Sequence, residues 1–146
     1  MNKKEVKILL VEDNEGDIVL TLEALKDAKA DNSVMVVRDG EEAMQYLLKQ
    51  GKYKNAETPD IILLDINLPK MNGKEVLEEI KKNEALKIIP VIMLTTSNSE
   101  KDILESYRNH ANCYITKPVD FQKFMDAVQM IKDFWISIVQ LPNKKK

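Results

Sequence analysis

The sequence predicts an α/β fold, a five-stranded parallel sheet with helices on both faces. Three observations lead there. Five short apolar runs recur along the chain, an amphipathic stretch follows each of them, and turn-forming pairs mark two of the joins. Strand–helix alternation of this kind implies right-handed crossovers between parallel neighbours.

The first run is Val6–Val11 (VKILLV), and the second is Ser33–Arg38 (SVMVVR). The third is Asp60–Asp65 (DIILLD), the fourth Pro90–Thr95 (PVIMLT), and the fifth and most polar Asn112–Lys117 (NCYITK). Near-continuous Val, Ile and Leu at this length read as strands buried on both faces. Helical patterns fall at about 15–29, 40–50, 73–83, 99–109 and 120–138. Ile18, Leu22 and Leu25 make a helical stripe in the first. Asp39-Gly40 and Asn72-Gly73 mark turns into the second and third. The segment Gly51–Pro59 (GKYKNAETP) reads as a polar loop. No internal repeat or low-complexity linker interrupts the pattern. The expectation is one domain over residues 1–146, with its core over about 5–138 and a flexible tail over about 139–146.

Bulk properties narrow the function classes. Of 146 residues, 44% are hydrophobic and 32% charged, the balance of a soluble globular protein. Twenty-two basic and 24 acidic residues leave a net charge of −2, unsuited to coating nucleic acid or an anionic membrane. No apolar run approaches the roughly 20 residues needed to span a bilayer. The N-terminus lacks a signal-peptide pattern. The lone cysteine, Cys113, cannot form an internal disulfide. Together these favour the cytoplasm.

In such a sheet, functional groups gather at the carboxyl ends of the strands. Glu12 and Asp13 directly follow the first strand, and Asp65 ends the third. Three acids there repel one another unless a hard divalent cation sits between them. Mg²⁺ suits that task, since it takes oxygen ligands and keeps several waters. Thr95 and Lys117 end the fourth and fifth strands. A hydroxyl, an ammonium and a Mg²⁺ site make a cradle for a doubly charged phosphoryl group, which an aspartate can accept as an acyl phosphate. Taken singly, Glu12 and Asp13 read as helix-capping acids, Thr95 as a β-branched strand residue and Lys117 as a loop lysine. Their joint placement at one sheet edge points to chemistry.

The segments LLVEDN (9–14), LLDINLPKMNG (63–73), PVIMLTTS (90–97) and YITKP (114–118) resemble the receiver domains of two-component response regulators. The resemblance covers roughly residues 5 to 135 and implies a flavodoxin-like doubly wound sheet of strand order 2-1-3-4-5 with five helices. It implies that Asp65 is the phosphoacceptor. Asp13 and Asp65 would bind Mg²⁺ through carboxylates, Asn67 through its backbone carbonyl, and Glu12 through water. It makes Lys117 the phosphoryl-pairing cation, Thr95 the switch hydroxyl and Tyr114 the switch aromatic, and it implies a cis Lys117–Pro118 bond. The chain departs from the pattern at Glu12, where many relatives have Asp, and at His110, where the fourth helix often ends in Gly. His110 reads as a surface residue near a helix end, and Cys113 as structural. The loop before the third strand, YITKP and the ending FWI…LP (134–142) resemble small single-domain regulators paired with bacterial phytochromes.

The function so implied is a stand-alone phosphorylation switch, not a metabolic enzyme. A sensor histidine kinase, phytochrome-type in the narrower resemblance, donates phosphate, and output goes to a downstream protein without DNA contact. Three other readings are weighed. A pseudo-receiver would not take phosphate, although all the acids, Thr95 and Lys117 are present. A nucleotide- or flavin-binding protein would want a Gly-rich first loop, where this chain has Glu12-Asp13-Asn14-Glu15-Gly16. A haloacid-type phosphatase would want an acid where Asn67 stands.

The last helix carries a stripe of Phe121, Phe124, Met125, Val128, Ile131, Trp135 and Ile138, with Met130, Phe134 and Ile136 off it. Apolar surface on more than one side points to an interface. The expectation is a homodimer through the surface of the fourth helix, fifth strand and fifth helix, with Ile103 and Tyr107 contributing. Trp135 as a plug at the bottom of the core is the alternative.

Overall fold

The structure, a computed structural model, describes residues 5–26 and 32–142. Its elements are β1 (Val6–Val11), α1 (Glu15–Leu25), β2 (Asn32–Val37), α2 (Gly40–Leu47), β3 (Ile61–Leu64), α3 (Gly73–Lys82), β4 (Val91–Thr95), α4 (Glu100–Arg108), β5 (Cys113–Thr116) and α5 (Phe121–Ile131). The five strands are parallel, in the order β2-β1-β3-β4-β5. That is the predicted sheet. The expected end of the first helix near 29, and residues 143–146 of the tail expected over about 139–146, lie outside the described residues; residues 139–142 line a depression together with Glu5, Val6, Asp60 and Ile136.

Both faces of the sheet are covered, which explains why its strands are apolar at successive positions. Side chains alternate across a strand. Leu9, Val11, Ile62, Leu64, Val91 and Met93 pack on one side with Ala43, Leu47, Val76, Leu77 and Ile80 of α2 and α3. Ile8, Leu10, Ile61, Leu63, Ile92 and Leu94 pack on the other with Ile18, Ala24, Leu25, Phe124, Val128 and Ile131 of α1 and α5. The register Ile8↔Ile61 through Val11↔Leu64 keeps the two sets in step across the central strands. A one-residue slip would exchange every side chain between the two cores.

Local chemistry sets the helix starts. Asn14, Asp39, Asn72, Ser99 and Asp120 each accept a bond from a first-turn N–H. At α3, Asn72 and Glu75 complete a reciprocal capping box. The glycines read as turn formers serve close approach instead. A Cβ on Gly40 would lie 1.8 Å from the Met71 carbonyl oxygen, and one on Gly73 would lie 2.0 Å from that of Asp65. Neither needs a positive φ. The 51–59 loop holds a short 3₁₀ turn, Gly51–Tyr53. Tyr53 is buried and its hydroxyl donates to Glu42 at 2.5 Å.

The last helix departs from a simple stripe. Phe124, Val128 and Ile131 are buried as expected, but Phe121 is exposed. Beyond Ile131 the chain continues as a π-type segment, Lys132–Ile138, closed by the Val139 N–H donating to Phe134 at 2.9 Å. The wider π turn shifts the angular register. Ile136, off the α-helical stripe, therefore packs with Trp135 against the second core, while Met130 and Phe134 stay exposed. The side chain of Ile138 lies outside the described residues.

The end of α4 has the Schellman arrangement. The His110 N–H donates to Tyr107 at 3.0 Å and the Ala111 N–H to Ser106 at 2.9 Å. His110 sits at φ 68°, in the left-handed region that glycine adopts without a Cβ clash. His110→Gly is therefore expected to stabilise the fold by about 0.5–1 kcal/mol, the relief of strain exceeding the added chain entropy. Urea denaturation of both proteins checks this, and an equal or lower midpoint for the variant contradicts it.

Candidate phosphoryl and metal site

The sheet's hydrogen bonding runs one residue past the strand ends and so fixes the site. The Glu12 N–H donates to Val37 at 3.0 Å, extending β1 along β2. The Asp65 N–H donates to Val11 at 3.1 Å, extending β3 along β1. The Lys117 N–H donates to Thr95 at 2.6 Å, extending β5 along β4. Glu12, Asp65 and Lys117 are thus held by backbone at one edge, and all three are buried. The Gly73 N–H donates to Ile66 at 2.8 Å, so the start of α3 packs directly against the Asp65 backbone.

Lys117 is the centre of the cluster. Its ammonium donates to Glu12, to Asp17 at 2.9 Å and to Asp65 at 3.3 Å. Burial alone lowers a lysine pKa; here the bond to Glu12, the charge of Asp65 and the bond to Asp17 outweigh it and raise Lys117. The Glu12 carboxyl goes the other way from an ordinary acid. Burial pushes it up to about 7, with Asp65's charge adding and Lys117 opposing.

Carboxylate oxygens of Glu12, Asp13 and Asp65 lie within 4.8 Å of one another, Asp13 being the exposed one. Three hard oxygen donors at that spacing fit a divalent cation of the Mg²⁺ or Mn²⁺ type. Asn67 lines the opening above them together with Asp13, Lys74 and Asp102, around a depression of about 490 Å³.

Thr95 ends β4, and Tyr114 lies within β5, paired with Met93. Thr95 is fully buried, and its hydroxyl oxygen accepts from the Ser97 N–H at 3.3 Å. The Tyr114 hydroxyl donates to the Ser97 carbonyl at 2.8 Å. The Ser97 hydroxyl donates to Asp102 at 2.5 Å, and Lys74 from α3 donates to Asp102 at 2.7 Å and Glu105 at 2.9 Å. The loop that carries the hydroxyl is thereby tied to α3, α4 and β5. The Lys117–Pro118 bond is trans, not cis as the family resemblance implies, since no cis peptide bond occurs among the described residues. Trans is the favoured X–Pro isomer by about 0.5–1 kcal/mol.

Asp17 escaped sequence reasoning. It stands in the first turn of α1, where an acid ordinarily answers the helix dipole. Its distance of four residues from Asp13, on a helix starting at the functional edge, was the available signal. The Lys74–Asp102–Ser97 chain carried none, because its partners come from separate elements.

A family model for the response regulator receiver domain matches residues 8–129. Response regulator Rcp1 of Synechocystis sp. is 49% identical over 135 residues, covering 92% of this chain and 92% of Rcp1. The crystal structure of the Mn²⁺-bound form of Rcp1 superposes with a TM-score of 0.93 at 48% identity, covering 94% of this chain and 99% of that one. That of the phosphorylated cyanobacterial phytochrome response regulator RcpA gives 0.94 at 51% identity, covering 96% and 100%.

The raised Glu12 carboxyl has a consequence for stability. Between about pH 4.5 and 7 the folded chain keeps a proton that the unfolded chain has lost. The folded state therefore loses stability as pH rises through that window. Glu12→Gln is expected to flatten this slope in EDTA. Chemical-denaturation midpoints across the window measure it, and equal slopes for the two proteins contradict the assignment.

Proposed function

We propose a phosphorylation switch for this chain, which belongs to the response regulator receiver domain family of two-component signalling. In this reading, Asp65 accepts a phosphoryl group from a sensor histidine kinase, and the 146 residues act as one receiver domain in the cytoplasm. The observation that carries it is the buried Lys117 ammonium bonded to Asp65, whose carboxylate converges with those of Glu12 and Asp13. An ordinary structural lysine does not need such a surplus of acids.

An Asp65 carboxylate oxygen attacks the phosphorus of a phosphohistidine. The O–P bond forms as the P–N bond breaks, and the electron pair leaves on the imidazole nitrogen. Glu12, Asp13 and Asp65, with the Asn67 backbone carbonyl, would hold Mg²⁺, which supplies charge neutralisation for the phosphoryl oxygens. Lys117 pairs with a phosphoryl oxygen from the opposite side. Water later attacks the phosphorus and restores the carboxylate. Rcp1, whose Mn²⁺-bound form is known, supports the metal site, and phosphorylated RcpA supports the acceptor chemistry.

Thr95 and Tyr114 convert the chemistry into shape. The Thr95 hydroxyl turns from Ser97 toward the phosphoryl group and draws its loop inward. Tyr114, bonded to that same loop, moves with it. The charge change thus biases a two-state loop that borders α4. RcpA, a phytochrome response regulator, supports a phytochrome-type kinase as the partner.

Output goes by protein contact, including a homodimer through the α4–β5–α5 face. Ile115, Ala127, Met130, Ile131, Phe134 and Trp135 line an apolar depression of about 290 Å³ there. Leu104 and Tyr107 of α4 are also exposed. Trp135 packs against the core with one side and borders this depression with the other, so core and interface roles are compatible.

Treatment with acetyl phosphate and Mg²⁺ is expected to add one phosphoryl group to the wild type. Asp65→Asn is expected to remove it, and intact-mass spectrometry reads both. Undiminished labelling of the variant would sink the assignment.

A further inference from the structure

We propose that Asp17 is a positioning residue that draws the Lys117 ammonium away from Asp65 and so restrains phosphoryl uptake. The inference rests on the phosphorylation reading above and assigns a residue outside the metal-binding trio. A lysine ammonium has three N–H donors. In this structure all three are committed to carboxylates, those of Glu12, Asp17 and Asp65. The Asp65 contact is the longest of the three, at 3.3 Å against 2.9 Å for Asp17. The cation thus sits toward the side of the cluster where no phosphoryl group is accepted.

Local structure explains why Asp17 can do this. Asn14 caps α1 and accepts the Asp17 N–H at 2.9 Å, which fixes the backbone of Asp17. The carboxylate is not used for capping and extends to Lys117. Its side chain is 25% exposed, whereas that of Lys117 is 4% exposed. Glu12, Asp13, Asp17 and Asp65 set four acids against one ammonium. With a divalent cation held by Glu12, Asp13 and Asp65 and every acid ionised, the cluster still sums to one negative charge, and Asp17 is the acid outside the metal-binding trio. When Asp65 becomes an acyl phosphate, the doubly charged group meets the Asp17 charge and competes with it for the same N–H donors.

The competing role for Asp17 is purely local, a first-turn acid answering the helix dipole. Under that role, Asp17→Asn shifts melting and leaves uptake unchanged. Under the proposal, Asp17→Asn takes up phosphoryl from acetyl phosphate faster by about three- to fivefold, the scale of a partly exposed ion pair. Asp17→Glu, which keeps the charge, stays close to the wild-type rate. The gap between Asp17→Asn and wild type narrows as ionic strength rises, because screening weakens the Asp17 charge. Calorimetric titration with Mg²⁺ alone gives a readout without phosphate, and Asp17→Asn binds more weakly there because one attracting charge is gone. The experiment runs the full chain and both variants at saturating Mg²⁺, with intact-mass spectrometry against time and a melting curve for each. A wild type that is labelled, with Asp17→Asn no faster, overturns the role of Asp17 alone. A wild type that takes up no phosphoryl group overturns the phosphorylation reading and this one with it.

Discussion

A single buried ammonium, that of Lys117, holds together carboxylates from three separate elements at the carboxyl edge of the sheet. Glu12 follows β1, Asp65 follows β3, and Asp17 opens α1. Burying a charge is costly unless it is paired and hydrogen-bonded, and breaking one partner of such a cluster leaves the others uncompensated. Three acids bond this one cation, and the Asp13 carboxylate lies beside two of them. The cluster is therefore held together by its lysine and left with negative charge to spare. That surplus gives the edge its capacity for a divalent cation.

The remainder of the fold serves to hold that edge still. Two apolar layers clamp the sheet, so the strand tips cannot slip without exchanging whole cores. Backbone bonds carry the ladder one residue beyond β1, β3 and β5, which places Glu12, Asp65 and Lys117 in register. Gly73 lets α3 close onto the Asp65 backbone from outside. The β4–α4 loop lies beside that edge. There Thr95, Ser97, Tyr114, Asp102 and Lys74 form a chain of polar contacts from the site to α4.

The architecture was legible because its signals are local. Apolar runs of strand length, five of them, declared a sheet covered on both sides, and the acids at their tips declared one functional edge. Glu12, Asp13, Asp65 and Lys117 meet there as the sequence predicts. Other features depended on tertiary geometry. Asp17 looks like any first-turn acid until Lys117 arrives from a strand 100 residues away. Ile136 turns inward because a π segment breaks the α-helical period, and Phe121 is left outside. Gly40 and Gly73 look like turn formers, but a close backbone crossing is what requires them. The trans Lys117–Pro118 bond leaves no trace in residue order.

Excess negative charge gathered at the sheet edge is the central claim, and metal-dependent stability tests it most directly. A ligand that binds only the folded state adds about 2.7 kcal/mol at a hundredfold excess over its Kd, and each kcal/mol moves the melting temperature of a chain this size by about 2–4 °C. Thermal melting in EDTA and in Mg²⁺ should therefore differ by several degrees for the wild type. The difference should vanish in a variant lacking the Asp13 and Asp65 carboxylates. A wild type whose melting ignores Mg²⁺, or a variant stabilised as strongly as the wild type, would contradict the account.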